Sequence, residues 1–163
     1  MRSRRRAAAT DDGSARICDA LIEVVGGLGA ATVMVFDPVP GEPDLGRFVD
    51  WCADEGIATV APVADRAAPD PVDPGSVDVV IVPGLAFTSD GRRLGQGGGW
   101  YDRFLAATRP DCLAIGVCFS AQLVDELPAE PHDVVLDCVI IDDMPAIGWV
   151  SSPSRRGVRR SGR

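Results

Sequence analysis

Apolar positions fall along this chain in short blocks whose period switches between that of a helix and that of a strand. After Asp12, Gly13 and Ser14, which suit a helix entry, Ile17, Ala20, Leu21, Val24 and Val25 recur at helical spacing until Gly26 and Gly27 end the run. Residues 32–36 read as a buried strand, and the Pro-rich stretch 37–43 as a rigid loop at its C-terminal end. Asp44 is placed to cap a helix running through Ala53, with Leu45, Phe48, Val49 and Cys52 on its inner face, and residues 57–61 form the next expected strand. The segment 62–77 is rich in Pro and Asp and suits a surface connection. Further strands are expected over 78–83, 113–119 and 134–141. A helix begins near Trp100, with Tyr101, Phe104 and Leu105 on one face and Asp102 pointing elsewhere, and a short helical turn covers 121–127.

Strands that alternate with helices over the whole length predict an α/β fold, a Rossmann-like three-layer sandwich with a mostly parallel sheet covered on both faces. In such sheets ligands bind beyond the carboxyl ends of the strands, so the loops at 37–43, 84–100 and 128–133 are expected to meet there. Residues 1–150 are read as a single domain and 151–163 as a disordered basic tail, since the tail lacks apolar content.

One of these loops carries recognisable chemistry. Four glycines stand among positions 95 to 99, so main-chain N–H groups can converge on a ligand without side-chain obstruction, and the following helix adds its positive end. That combination suits a phosphate. Arg92 and Arg93 precede it and can neutralise phosphate oxygens, and Asp102 follows it, suited to hold magnesium against the same phosphates. The spacing is neither that of a Walker A loop nor that of a dinucleotide fingerprint.

Composition narrows the picture further. The net charge of -8 argues against a general nucleic-acid binder, so an anion must be held by a local positive site. All sixteen basic residues are Arg, which removes lysine Schiff-base and lysine-nucleophile mechanisms. Cys18, Cys52, Cys112, Cys118 and Cys138 are scattered, lack a C-x-x-C pair and read as small buried hydrophobes of a reducing cytoplasm. The apolar runs are too short for a bilayer span, and Asp11, Asp12, Asp19 and Glu23 interrupt what an export signal would need as its apolar core. A cytoplasmic monomer acting on small molecules, without membrane or nucleic acid, is the expectation.

The run Val82-Pro83-Gly84-Leu85-Ala86-Phe87, followed by Arg93 through Leu105, resembles the motif of the 5-formyltetrahydrofolate cyclo-ligase (methenyltetrahydrofolate synthetase) family. Phe36-Asp37-Pro38-Val39-Pro40-Gly41-Glu42, the stretch 116–119 with Gln122, Leu127-Pro128, His132-Asp133 and 137–140 extend the likeness over about residues 14 to 143. The resemblance implies the NagB/RpiA/CoA-transferase-like form of the sandwich. It also implies a ligase that converts 5-formyltetrahydrofolate and ATP, with magnesium, into 5,10-methenyltetrahydrofolate, ADP and phosphate. In that reaction the formyl oxygen takes the γ-phosphoryl group as an iminium phosphate, N10 attacks the same carbon, and phosphate leaves.

Carried over by position, Arg93, Leu94, Gly95, Gln96, Gly97, Gly98, Gly99, Trp100 and Tyr101 would surround ATP, with Arg93, Tyr101 and Asp102 catalytic and Asp102 and Asp133 holding magnesium. Glu42, Phe36 and Trp100 would meet the folate, Glu42 through the pterin's donor nitrogens; Phe36 and Trp100 either pack on the pterin or fill the core. His132 reads as a structural neighbour of Asp133 rather than a general base. Two features depart from the family pattern: the basic opening helix is shortened to Arg2, Arg4, Arg5 and Arg6 without Lys, and 62–77 is brief where the family has a longer insert. A non-catalytic or repurposed member that binds nucleotide or folate without turnover is the alternative, and a sugar-phosphate enzyme on the same layered fold a weaker third reading.

Overall fold

The computed structural model describes residues 9–63 and 72–147. Helix α1 (Asp11–Gly26) opens with Thr10, whose side chain accepts from the Gly13 amide at 3.0 Å, so the cap lies slightly before the expected entry. It leads to strand β1 (Thr32–Met34), helix α2 (Gly46–Asp54) and strand β2 (Ala58–Val60). The N-cap of the second helix is Leu45, without a side-chain cap bond, and not the expected Asp44, which stands one residue earlier and accepts from the Gly46 amide at 2.8 Å. Strand β3 (Val79–Val82) is followed by a small hairpin of β4 (Ala86–Phe87) and β5 (Arg93–Leu94), then helix α3 (Trp100–Ala107), strand β6 (Leu113–Cys118), strand β7 (Cys138–Ile141) and strand β8 (Met144–Ile147).

The main sheet runs β2-β1-β3-β6-β7-β8, parallel throughout except for the antiparallel edge pair β7 and β8. Val79 to Val82 are all buried, as a strand covered on both faces must be. Alternate residues of this strand feed two cores. Val79 and Ile81 pack with Ile17, Leu21, Phe48 and Cys52 of α1 and α2, whereas Val80 and Val82 pack with Phe104 and Leu105 of α3. The expected three-layer sandwich is therefore observed.

Several boundaries differ from expectation. Residues 134–136 lie outside β7: the Val134 amide donates to Asp102 and the Leu136 amide to the Gly91 carbonyl at 2.9 Å, and bonding to β6 begins at Asp137, whose amide donates to the Ala114 carbonyl at 2.9 Å and whose carboxylate accepts from the Ala114 amide at 2.7 Å. The helical turn expected over 121–127 contracts to a 3₁₀ turn at Ser120–Gln122. Neither the β4–β5 hairpin nor β8 is visible in the hydrophobic pattern, being two and four residues per strand. The basic tail 151–163 and the start of the expected opening helix lie outside the described residues.

At the N-terminal edge of the sheet, Asp78 ties three elements together. It accepts from the Ala31 and Thr32 amides at 2.8 and 2.9 Å and from Arg109 Nη2 at 2.6 Å. All five cysteines are free and buried, and burial pushes the thiols of Cys118 and Cys138 up to about 12, as inert core groups require. No helix among the described residues is long and apolar enough to cross a membrane.

Candidate functional site

The parallel strands β1, β3 and β6 deliver their following loops to one edge of the sheet, and the glycine loop stands there between β5 and α3. Gly97 and Gly99 adopt φ of 99° and 59°, left-handed conformations that a side chain would strain. The amides of Gly95, Gln96, Gly97, Gly98, Gly99 and Trp100 donate no hydrogen bond among the described residues. These residues are exposed or half-exposed, so their N–H groups are open to solvent at a helix N-terminus, an arrangement that can accept an anion. Arg103 strengthens the arrangement. Its Nη1 donates to the Gly98 carbonyl at 2.8 Å, which holds that carbonyl toward the helix, and in a trans peptide the Gly99 N–H points the other way.

Arg93 and Asp102 flank this loop as a pair. Arg93 Nη2 lies 3.4 Å from Asp102 Oδ2, and the side chains are only 7% and 18% exposed. Arg93 also donates to the Pro83 carbonyl at 3.3 Å and lies 5.3 Å from the centre of the Tyr101 ring. Burial lowers the guanidinium from its ordinary value, opposed by Asp102, then Tyr101 and Asp133. The other oxygen of Asp102 accepts from the Val134 amide at 3.0 Å, which brings the chain next to Asp133 into the site. Asp102 is thus engaged on both oxygens, rather than standing free of the core as the helical pattern suggests.

Trp100 stacks on Phe104 with ring centres 5.0 Å apart and meets Tyr101 edge-on at 4.8 Å, so all three anchor α3 while Trp100 and Tyr101 stay half-exposed. Leu94 pairs with Ala86 in the hairpin. Asp133 Oδ2 accepts from the Glu130 amide at 2.7 Å, and His132 Nε2 lies 2.9 Å from Glu130 Oε2 and 3.9 Å from Asp133 Oδ1, all three residues being exposed. Glu42 folds back on its own loop, accepting from the Val39 amide at 3.1 Å. Phe36 is buried in the core cluster with residues of α1 and α2.

Three residues emerge that the sequence reading did not assign to the site: Arg103, Val134 and Gln122. Gln122 is 3% exposed and its Nε2 donates to the Gly84 carbonyl at 3.0 Å. Its burial follows from tertiary contacts of the Ser120–Gln122 turn and leaves no periodic mark in the sequence. A separate open hollow of about 550 Å³ lies between α1 and the β7–β8 turn, lined by Arg16, Asp19, Ala20, Glu23, Ile141, Asp142 and Asp143. Its four carboxylates repel phosphate and folate carboxylates, and Arg16 is already committed to Asp12 and the Asp142 carbonyl.

Residues 52–142, more than half of the chain, match the sequence profile of the 5-formyltetrahydrofolate cyclo-ligase family. The chain belongs to that family. The 5-formyltetrahydrofolate cyclo-ligase of Mycolicibacterium smegmatis is 31% identical over 144 residues, covering 69% of this chain and 74% of that protein. The mouse (Mus musculus) cyclo-ligase is 36% identical over 78 residues, 44% of this chain and 37% of its own. Among solved structures, a 5,10-methenyltetrahydrofolate synthetase from Mycoplasma pneumoniae superposes with a TM-score of 0.75 at 26% identity, covering 86% of this chain and 93% of that one. The cyclo-ligase profile spans the whole glycine loop, Asp102 and Asp133 and leaves Phe36 and Glu42 outside it.

Proposed function

We propose that this protein closes 5-formyltetrahydrofolate to 5,10-methenyltetrahydrofolate at the expense of ATP, and that the glycine loop holds the triphosphate. The observation that carries this reading is the run of six unpartnered amides from Gly95 to Trp100 beside the Arg93–Asp102 pair, in a chain of the cyclo-ligase family. The chemical demand on such a site is to turn an amide oxygen into a leaving group. That requires two substrates held in line and charge stabilised on the transferring phosphoryl group, both of which fixed main-chain dipoles provide without reorganisation.

Within this reading, Arg93 and the amides of 95–100 bind phosphate oxygens and Tyr101 supports Arg93 through its ring. Asp102 and Asp133 would hold magnesium. Their carboxylates are the hard oxygen donors this ion prefers, and the Val134 amide bond keeps the two aspartates' segments together. The ion would screen the charge gathering on the phosphoryl oxygens. Glu42 and Trp100 would bound the folate, the carboxylate accepting from pterin N–H groups and the indole offering an apolar wall. The free buried thiols suit the cytoplasm, where ATP is at hand.

The test is a direct absorbance assay for methenyltetrahydrofolate with the full chain, magnesium, ATP and 5-formyltetrahydrofolate. Product formation dependent on all three supports the proposal. Nucleotide binding by calorimetry with no product from a folded protein would instead mean a binding member of the family without turnover. Glu42→Ala should raise KM for the folate and spare that for ATP.

A further inference from the structure

Arg93 immediately precedes the glycine loop, yet its side chain turns inward. A guanidinium at this depth requires a negative partner, and Asp102 supplies it at 3.4 Å. The converse matters more: the Asp102 carboxylate is already balanced, by Arg93 on one oxygen and the Val134 amide on the other. A divalent cation approaching Asp102 meets a fixed positive charge. The same guanidinium also touches the cradle, since a side chain at Gly95 would meet Arg93 Nη1 at 2.7 Å. It therefore stands between two possible partners, the carboxylate behind it and an anion in the loop.

We propose that Arg93 is the resident counter-ion of Asp102, keeping divalent metal off this carboxylate until phosphate oxygens in the glycine loop take over the guanidinium. The inference rests on the loop being a triphosphate cradle. Metal then enters together with the nucleotide and not ahead of it, and Arg93 is the residue that enforces the order. Charge, rather than the shape of the side chain, is the operative property.

The experiment is a Mn2+ titration of the full chain without nucleotide, followed by electron paramagnetic resonance and calorimetry. Arg93→Gln is expected to raise Mn2+ affinity by at least about tenfold, and Arg93→Lys to leave it as in the parent protein. Adding Asp102→Asn to Arg93→Gln should abolish the gain and so assign it to Asp102 rather than to the exposed Glu130, His132 and Asp133. A folded Arg93→Gln protein with no gain, or a gain that survives Asp102→Asn, overturns the proposal. The parent protein provides an arm independent of that variant's folding: Mn2+ bound there without nucleotide and lost in Asp102→Asn overturns it as well. Binding of a magnesium complex of a non-hydrolysable ATP analogue to the parent protein checks the cradle separately. If the analogue fails to bind, the cradle reading fails whatever Mn2+ does; if it binds and Arg93→Gln gains nothing, only the counter-ion proposal fails.

Discussion

The side-chain amide of Gln122 donates to the carbonyl of Gly84, and through this bond the end of β6 holds the loop that leaves β3. The same side chain accepts from the Phe119 amide at 2.9 Å, so one buried residue satisfies main-chain groups on two elements. Pro83, next to Gly84, supplies the carbonyl on which Arg93 rests, and Arg93 in turn meets Asp102. Gln122→Met keeps the volume and removes every bond. It should lower unfolding free energy by about 1–3 kcal/mol, the range for buried polar groups left unpaired, as read by urea denaturation. Because the Arg93 support shifts with the loop, KM for ATP should rise as well, while a neutral surface substitution such as Ala121→Ser leaves both unchanged.

Asp78 gives the fold an acid-sensitive latch. The Arg109 hydrogen bond, then the Thr32 amide, hold its carboxyl below the usual carboxylate range. A depressed folded-state value means that the ionised form is favoured by folding, so this contribution is complete above the unfolded value of about 4 and is lost as the pH falls through the lower folded value. Thermal melts from pH 7 downward should show stability falling below about pH 4 in the parent protein. Asp78→Asn should be less stable at neutral pH and show a shallower fall in acid; parallel curves would remove Asp78 from the account.

How far the sequence disclosed the molecule depends on whether a feature is periodic or tertiary. The run Val79–Val82 announces a strand buried on both sides, and Phe104 with Leu105 marks the inner face of α3, because burial writes itself into local composition. The left-handed turns at Gly97 and Gly99 were equally legible, since clustered glycines before a helix mark an irregular loop. The partners of Asp102 were not. Arg93 is nine positions away across an irregular loop, and Val134 is 32 positions away, so no local period relates them to the aspartate. Residues 134–136 show the opposite error, an apolar run that reads as strand while the Val134 amide bonds to Asp102 and the Leu136 amide to Gly91.

Two glycines in left-handed conformations should respond differently to alanine. Gly91 has φ 89°, and a Cβ there would stand 2.5 Å from the Leu136 carbonyl, a main-chain atom that cannot yield. Gly91→Ala should combine backbone strain with overpacking and cost about 2–5 kcal/mol. Gly97 has φ 99° but open space around the added atom. Gly97→Ala should cost only the strain, about 1–2 kcal/mol, yet reduce nucleotide affinity if the loop holds the triphosphate as proposed. Chemical denaturation and calorimetry with an ATP analogue separate the two; equal stability losses would contradict the contact geometry.

The burial of the Arg93–Asp102 pair changes which substitution tests the role of Asp102. Asp102→Ala removes the carboxylate from beneath a guanidinium that is 7% exposed, and leaves the Val134 amide without its acceptor. Breaking a buried pair from one side typically costs about 3–5 kcal/mol, reduced here because Asp102 keeps some contact with water. Lost activity in that variant would therefore report unfolding as much as chemistry. Asp102→Asn retains the shape and an oxygen for the Val134 amide, while its NH2 replaces the oxygen that accepted from Arg93, so it removes the charge and that one bond but opens no cavity. If the carboxylate stabilises the transferring phosphoryl group through magnesium, Asp102→Asn should lower kcat by about 100-fold or more. Its unfolding transition should stay closer to that of the parent protein than Asp102→Ala does. Near-normal turnover in folded Asp102→Asn protein would show that the charge serves Arg93 alone.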